Sequence, residues 1–245
     1  MLPETMPVCP VRGSVIYPTM VMPIDAGRPI SIRAIDEALA RDRVLLIVSQ
    51  RDKEVETPRP SDLFEVGTAC NILKMRKNPD GSVQVLVQAF ARVRVREWLD
   101  LGDHLEARGE VLADEPGEPI LVKALVREVK DKFQALLKEG KYLAPEVAQF
   151  ILNLEDPSQL ADYVAFHMDF RLEDKQKVLE TANVAERLRA VLVLLEAELA
   201  LIETQRRIQQ QVKEEIDRNQ REYFLREQMK AIQRELHGEE GEQEV

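Results

Sequence analysis

The side chains able to do chemistry are scattered along this chain. His104, His167 and His237 stand apart from one another and from Cys9 and Cys70. A zinc site needs such ligands at short, characteristic spacings, so no metal site is expected. Ser14, Ser31, Ser49, Ser61, Ser82 and Ser158 all lack the G-x-S-x-G setting that exposes a nucleophile on a strand-to-helix turn. Gly140-Lys141 is the single Gly-Lys pair, and the upstream glycine of a phosphate-cradling loop is missing. GxGxxG and HExxH are absent too. The abundant Asp and Glu read as solvated surface. No catalytic residue and no cofactor is therefore expected, and the chain alone should hydrolyse neither ATP nor peptides.

One constellation remains. "SVIYPTMVMPI" (Ser14–Ile24) packs Ile16, Tyr17, Met20, Val21 and Met22 between Pro18 and Pro23, with Met75 further along. Prolines cannot donate to a central ladder, so this backbone belongs at an edge or in a loop. Methionine is flexible and polarizable, which suits a surface that accepts many apolar sequences. This group is the candidate binding site for apolar polypeptide. The other reading is that the same residues fill the core of a small β lobe.

Two kinds of element must position these residues, giving an α+β fold. Residues 1–113 read as β. "VLLIV" (Val44–Val48) is a short buried strand, and Asn78-Pro-Asp-Gly81 is a hairpin turn. Val83, Val85 and Val87 alternate with polar partners, as do Val93 and Val95 with Arg92, Arg94 and Arg96, and His104–Leu112 adds a strand. One helix interrupts the lobe from about Pro29 to Arg41, with Ile32, Ile35 and Leu39 on one face. "DEPGEP" (residues 114–119) reads as a linker.

Beyond it the chain is helical, with a bundle over 120–202. Ile120–Glu139 ends at Gly140, Pro145 opens another helix, and Asp156-Pro-Ser-Gln159 and Asn183 with Glu186 form caps. Nothing breaks the helix from Val184 to His237. Leu188, Leu192, Leu195, Leu199 and Ile202 form a bundle seam. Over 203–237 the seam thins to Ile208, Val212 and Ile216, then widens at Tyr223, Phe224 and Met229. This very long part should project, its apolar residues facing another subunit or substrate. Residues 238–245 begin an acidic linker.

Net charge is −10, and residues 113–245 hold nearly all the excess, with 19 Lys/Arg against 28 Asp/Glu. That argues against nucleic acid as the main partner. A basic ribbon of Arg92, Arg94 and Arg96 with Lys74, Arg76 and Lys77 is the opposing feature. Two isolated cysteines, no signal peptide and no bilayer-spanning run point to a reducing, cytoplasmic compartment with no membrane partner.

Several segments resemble the N-terminal domain of the bacterial Lon family of ATP-dependent proteases: "MPVCPVRGSVIYPTMVMPIDAGR", "DLFEVGTACNIL", "NPDGSVQVLVQAFARVRV" and "REYFLREQMKAIQREL". The resemblance implies a PUA-like β lobe, a helical bundle and a long helix leading to an AAA+ ATPase and a Ser-Lys protease module, neither present in these residues. It implies ATP and Mg in the parent enzyme, a homohexamer, and unfolded or damaged polypeptides as substrates. A stand-alone ligand or degron module is the alternative, and an RNA-binding PUA-like module a third.

Overall fold

The computed structural model describes residues 2–139 and 143–239, with side chains up to Arg234. The helix end expected at Gly140, the His237 side chain and most of the acidic segment 238–245 lie outside the described residues.

Six strands build the first lobe: β1 (Met6–Val11), β2 (Val21–Ala26), β3 (Val44–Ser49), β4 (Val66–Lys77), β5 (Val83–Asp100) and β6 (Leu105–Val111). Their order is β2-β5-β4-β3-β1-β6, and β6 returns to pair with β5, so five strands close a ring. The length of β5 makes this possible. Its first part, Val83–Gln88, carries β2 as an added edge strand, and Val93–Asp100 carries β6. Register shifts at Ala69/Cys70, Ile72/Lys74 and Val95/Glu97 let the long strands bend between neighbours.

Helix α1 (Pro29–Ala40) precedes β3, which runs parallel to β1. It begins at Pro29, whose fixed φ suits the first turn, and buries Ala34, Ile35 and Ala38. Those residues join Leu45, Ile47, Cys70, Val85 and Val87 in one core, whereas Leu46, Val48, Ala69, Val93 and Leu105 form a second. Alternate residues of β3 thus enter different cores. A strand covered on both faces reads as a continuous apolar run, which is what Val44–Val48 is. At the β4–β5 hairpin Gly81 adopts φ +86, a conformation that needs glycine.

The helical lobe comprises α2 (Pro119–Lys138), α3 (Pro145–Asn153), α4 (Pro157–His167), α5 (Leu172–Glu180) and the start of α6 (Val184–Glu239). Prolines open α2, α3 and α4. The Asp156 carboxylate accepts from the Gln159 N–H, and Asn183 Oδ1 from the N–H groups of Ala185 and Glu186, so both expected caps form. Val129, Phe133, Leu136, Ile151, Leu160, Val164, Leu188, Val191 and Leu195 are fully buried.

The segment read as a linker is docked onto this lobe. The Glu115 N–H donates to Ala182 O and the Val184 N–H to Glu115 O, both at 3.0 Å. At Gly117 a Cβ would come within 2.6 Å of the Ala185 Cβ. The fold instead divides between Glu196 and Ala197. In the second unit every side chain from Glu203 to Arg234 is exposed.

Candidate functional site

The methionine-rich segment splits. Ile16, Tyr17 and Met20 are buried at 3%, 0% and 4% exposure, so they cannot present an apolar surface. The segment is irregular, as its prolines require, but it is held down. Thr68 Oγ1 donates to Ile16 O at 2.6 Å, and Ser49 Oγ to Ser14 O at 2.7 Å. The Tyr17 hydroxyl donates to Lys175 O on α5 at 2.8 Å. Desolvation pushes the Tyr17 pKa up, so the phenol remains a donor, and losing this bond would cost about 1 kcal/mol. These three residues are core, and the expectation that they read substrate is corrected.

Val21 remains exposed, Met22 is half-buried against the α1-side core, and Met75 is partly exposed. Val21 pairs with Gln88 on the outer face of β5, whereas Met75 pairs with the inward-facing Val85. Directly paired residues share a face and successive residues alternate, so Val21 and Met75 lie on opposite faces. Val21 and Pro23 are exposed on the outer face of β2. Beside it, a groove of about 300 Å³ is lined by Pro18, Phe90, Val111 and Leu112 and floored by Arg92 and Asp162. Met75 lines a separate hollow with Leu39, Arg43 and Leu73. Pro23 sits on the edge strand, where its missing N–H breaks no central ladder.

The basic ribbon is also corrected. Arg92 does not face solvent: it is 3% exposed and pairs with Asp162 of α4 at 2.5 Å and Asp114 at 3.4 Å. Arg96 pairs with Glu110 across to β6. Arg187, fully buried on α6, completes the cluster, reaching Asp114 at 2.6 Å, the Ser158 hydroxyl at 2.7 Å and Asp162 at 3.8 Å. Two guanidinium groups and two carboxylates thus join β5, the 114–119 segment, α4 and α6. Burial pushes the Asp162 carboxyl up to about 6, outweighing the two arginines that pull it down. At Asp114 burial acts upward, but hydrogen bonds from Arg187 and Ser158 hold the carboxyl below its ordinary value. The sequence carried a signal for this cluster. Arg187 falls on the stripe Val184–Leu188–Val191–Leu195, and Asp162 sits amid Ala161, Val164 and Ala165.

Between β4, β5 and α5 lies a cleft of about 550 Å³, lined by Arg51, Phe64, Glu65, Arg94, Gln176 and Lys177 among others. Gln176 is 1% exposed; its Nε2 donates to Val66 O at 2.9 Å and Glu180 Oε1 at 2.8 Å. Its carbonyl oxygen Oε1 has no hydrogen-bond partner among the described residues. An orphaned buried acceptor costs about 1–3 kcal/mol. The sequence carries no local sign of it, because α5 has the residues of an ordinary polar helix.

On α6 the candidate residues are exposed: Ile208 52%, Val212 50%, Ile216 50%, Tyr223 69%, Phe224 61% and Met229 62%. They do not share one face. At about 100° per residue, Ile208, Val212, Ile216 and Tyr223 fall on one side, Leu225, Met229 and Ile232 on another roughly 140° away, and Phe224 between them.

Cys9 and Cys70 are buried free thiols. Burial raises both pKa values, Cys9 to about 11, so neither is a thiolate nucleophile near neutral pH. Among the described residues no group of three His, Cys, Asp or Glu is placed to hold a metal ion, and no helix is long and apolar enough to cross a membrane.

Comparison with known proteins agrees with this architecture. Residues 5–197 match the family model described as the ATP-dependent protease La (LON) substrate-binding domain. The chain is 41% identical to the Lon protease of Escherichia coli K12 over 94% of its own length and 29% of that protein. It is 37% identical to the Lon protease of Brevibacillus choshinensis over 97% of its length and 31% of that protein. The chain thus spans under a third of these relatives. The N-terminal domain of a Mycobacterium avium complex Lon protease superimposes with a TM-score of 0.66 at 26% identity, covering 79% of this chain and 98% of that one. A Lon N-terminal domain protein from Xanthomonas campestris shares the fold, with a TM-score of 0.53 at 12% identity. On the match over residues 5–197 and the identity along nearly its whole length, this chain belongs to the Lon substrate-binding domain family.

Proposed function

We propose that this chain captures exposed apolar segments of unfolded or damaged polypeptides for an ATP-dependent serine protease of the Lon type. The captured chain passes to AAA+ ATPase and Ser-Lys protease modules, which use ATP and Mg and work as a homohexamer. The observation that supports capture is the exposed apolar surface: Val21, Phe90 and Val111 on the β lobe, and Tyr223, Phe224, Leu225, Met229 and Ile232 on α6. Exposed apolar sequence is the physical mark of a misfolded chain, and exposed apolar side chains are its complement. Methionine and aromatic side chains adapt to varied partners. The two apolar sides of α6 can serve two occupants, one a neighbouring subunit and the other substrate.

Affinity should be modest, about 10 µM to 1 mM, because ordering a disordered chain opposes binding. The test is fluorescence anisotropy with a labelled, permanently unfolded protein and with its native form. Binding of the unfolded form only, weakened several-fold by Val21→Ser or by Leu225→Ser with Met229→Ser, is the expected result. Equal binding of both forms would refute selective capture.

A further inference from the structure

The cleft between β4, β5 and α5 is built for something the apolar surfaces are not. The Arg94 side chain makes no hydrogen bond or ion pair among the described residues, although it lies on β5 opposite Val66 and its charge is felt by Glu110, its partner position on β6. Arg51 is held in place: its Nε donates to Leu63 O at 3.0 Å, and its guanidinium lies 4.6 Å above the Phe64 ring. Its two terminal nitrogens have no partner among the described residues. In the same cleft Gln176, anchored by both amide hydrogens, leaves Oε1 without a partner among the described residues. Two arginines with free donors and one free buried acceptor thus line one cleft.

Charge restricts what fits. The lining carries Arg51, Arg94 and Lys177 but also Glu65, Glu173 and Glu180. A bare phosphate would meet as many acids as cations. A carboxylate with an N–H donor beside it satisfies both halves: two arginines take the carboxylate, and Gln176 Oε1 takes the N–H. A polypeptide end has this arrangement, since the last peptide N–H precedes the α-carboxylate.

We infer that this cleft binds the free C-terminus of a polypeptide, with Arg51 and Arg94 on the carboxylate and Gln176 Oε1 accepting the final backbone N–H. The inference rests on polypeptide capture as the function and adds to it a chain-end preference, separate from the apolar surfaces.

The experiment titrates the 245-residue chain with three N-acetylated pentapeptides of one apolar sequence. One ends in a free carboxylate, one in an amide, and one in an amide with an internal Asp. NMR shifts at Phe64, Arg94 and Gln176 report binding. The free-acid peptide should bind at least about tenfold more tightly than the amide, and Arg94→Ala should remove that difference while the Tm holds. Arg51→Ala, at an exposed position, serves equally should Arg94→Ala lower the Tm. Equal binding of acid and amide, no saturable shift, or an internal Asp matching the free terminus would each overturn the inference. If the free acid shows no preference over the amide while an unfolded protein still binds through Val21 or Met229, polypeptide capture stands and only the cleft inference falls.

Discussion

Two methionine-bearing apolar segments of this chain have opposite fates. Residues 14–24 and residues 223–232 are similarly rich in Met, aromatic and aliphatic side chains. In the first, Tyr17 and Met20 are buried; in the second, Tyr223 and Met229 are 69% and 62% exposed. Apolar content does not separate them, although residues 223–232 also carry Arg226, Glu227 and Lys230 and residues 14–24 carry no charge. The difference lies in polar anchors: Thr68, Ser49 and the Lys175 carbonyl accept or supply hydrogen bonds that fasten the first segment, Tyr17 among them, to the rest of its unit. The second segment's polar contacts are local, such as Lys230 with Glu227 three residues away. The first segment is covered by the rest of its unit, with its backbone groups bonded there, whereas the side chains of residues 223–232 are left at the surface.

The largest effect should come from the charge cluster that ties the two lobes of the first unit together. Asp162→Ala leaves Arg92 and Arg187 buried with Asp114 alone between them, and should cost about 3–5 kcal/mol in chemical denaturation. A loss below 1 kcal/mol would show that the lobes are held by apolar packing.

The same carboxylate sets a pH signature. Its folded-state pKa, about 6, lies above its ordinary value, so between roughly pH 4 and 6 the folded state holds a proton the unfolded state has released. Its contribution therefore declines as pH rises through that window. Asp114, held below its ordinary value, acts with the opposite sign and at lower pH. Asp162→Asn should flatten the decline between pH 4 and 6, read from denaturation midpoints across pH.

Met20→Ser should then lower stability by about 3 kcal/mol, since it empties a core position and buries a hydroxyl. Smallest of all, Met229→Ser should move stability by less than about 0.5 kcal/mol, as exposed substitutions do. If the two methionine variants cost the same, the contrast between the segments fails.

Much of the fold was legible because local signals agreed with it. The Asn78–Gly81 turn, the proline-opened helices and the Asp156 and Asn183 caps each rest on chemistry within a few residues. The candidate site was legible only in part. Ile16 and Tyr17 are buried by contacts with Thr68 and Lys175, far along the chain, which periodicity cannot register. Arg92 alternates with Val93 and Val95 as a solvated residue would, and its partners at positions 114 and 162 are invisible locally. Val21 and Met75 looked like one group until strand register placed them on opposite faces. On α6, by contrast, exposure was readable from the thinning seam, because no distant element intervenes along residues 203–234.

Selective capture on exposed apolar side chains is tested most directly by a methyl-NMR titration of the 245-residue chain with one protein in its unfolded and its native form. Shifts at Val21, Leu225, Met229 and Ile232 are expected with the unfolded form only, while the methyl groups of Ile16 and Met20 stay unmoved. Shifts at Ile16 and Met20 with none on α6, or equal shifts with the native form, would contradict it.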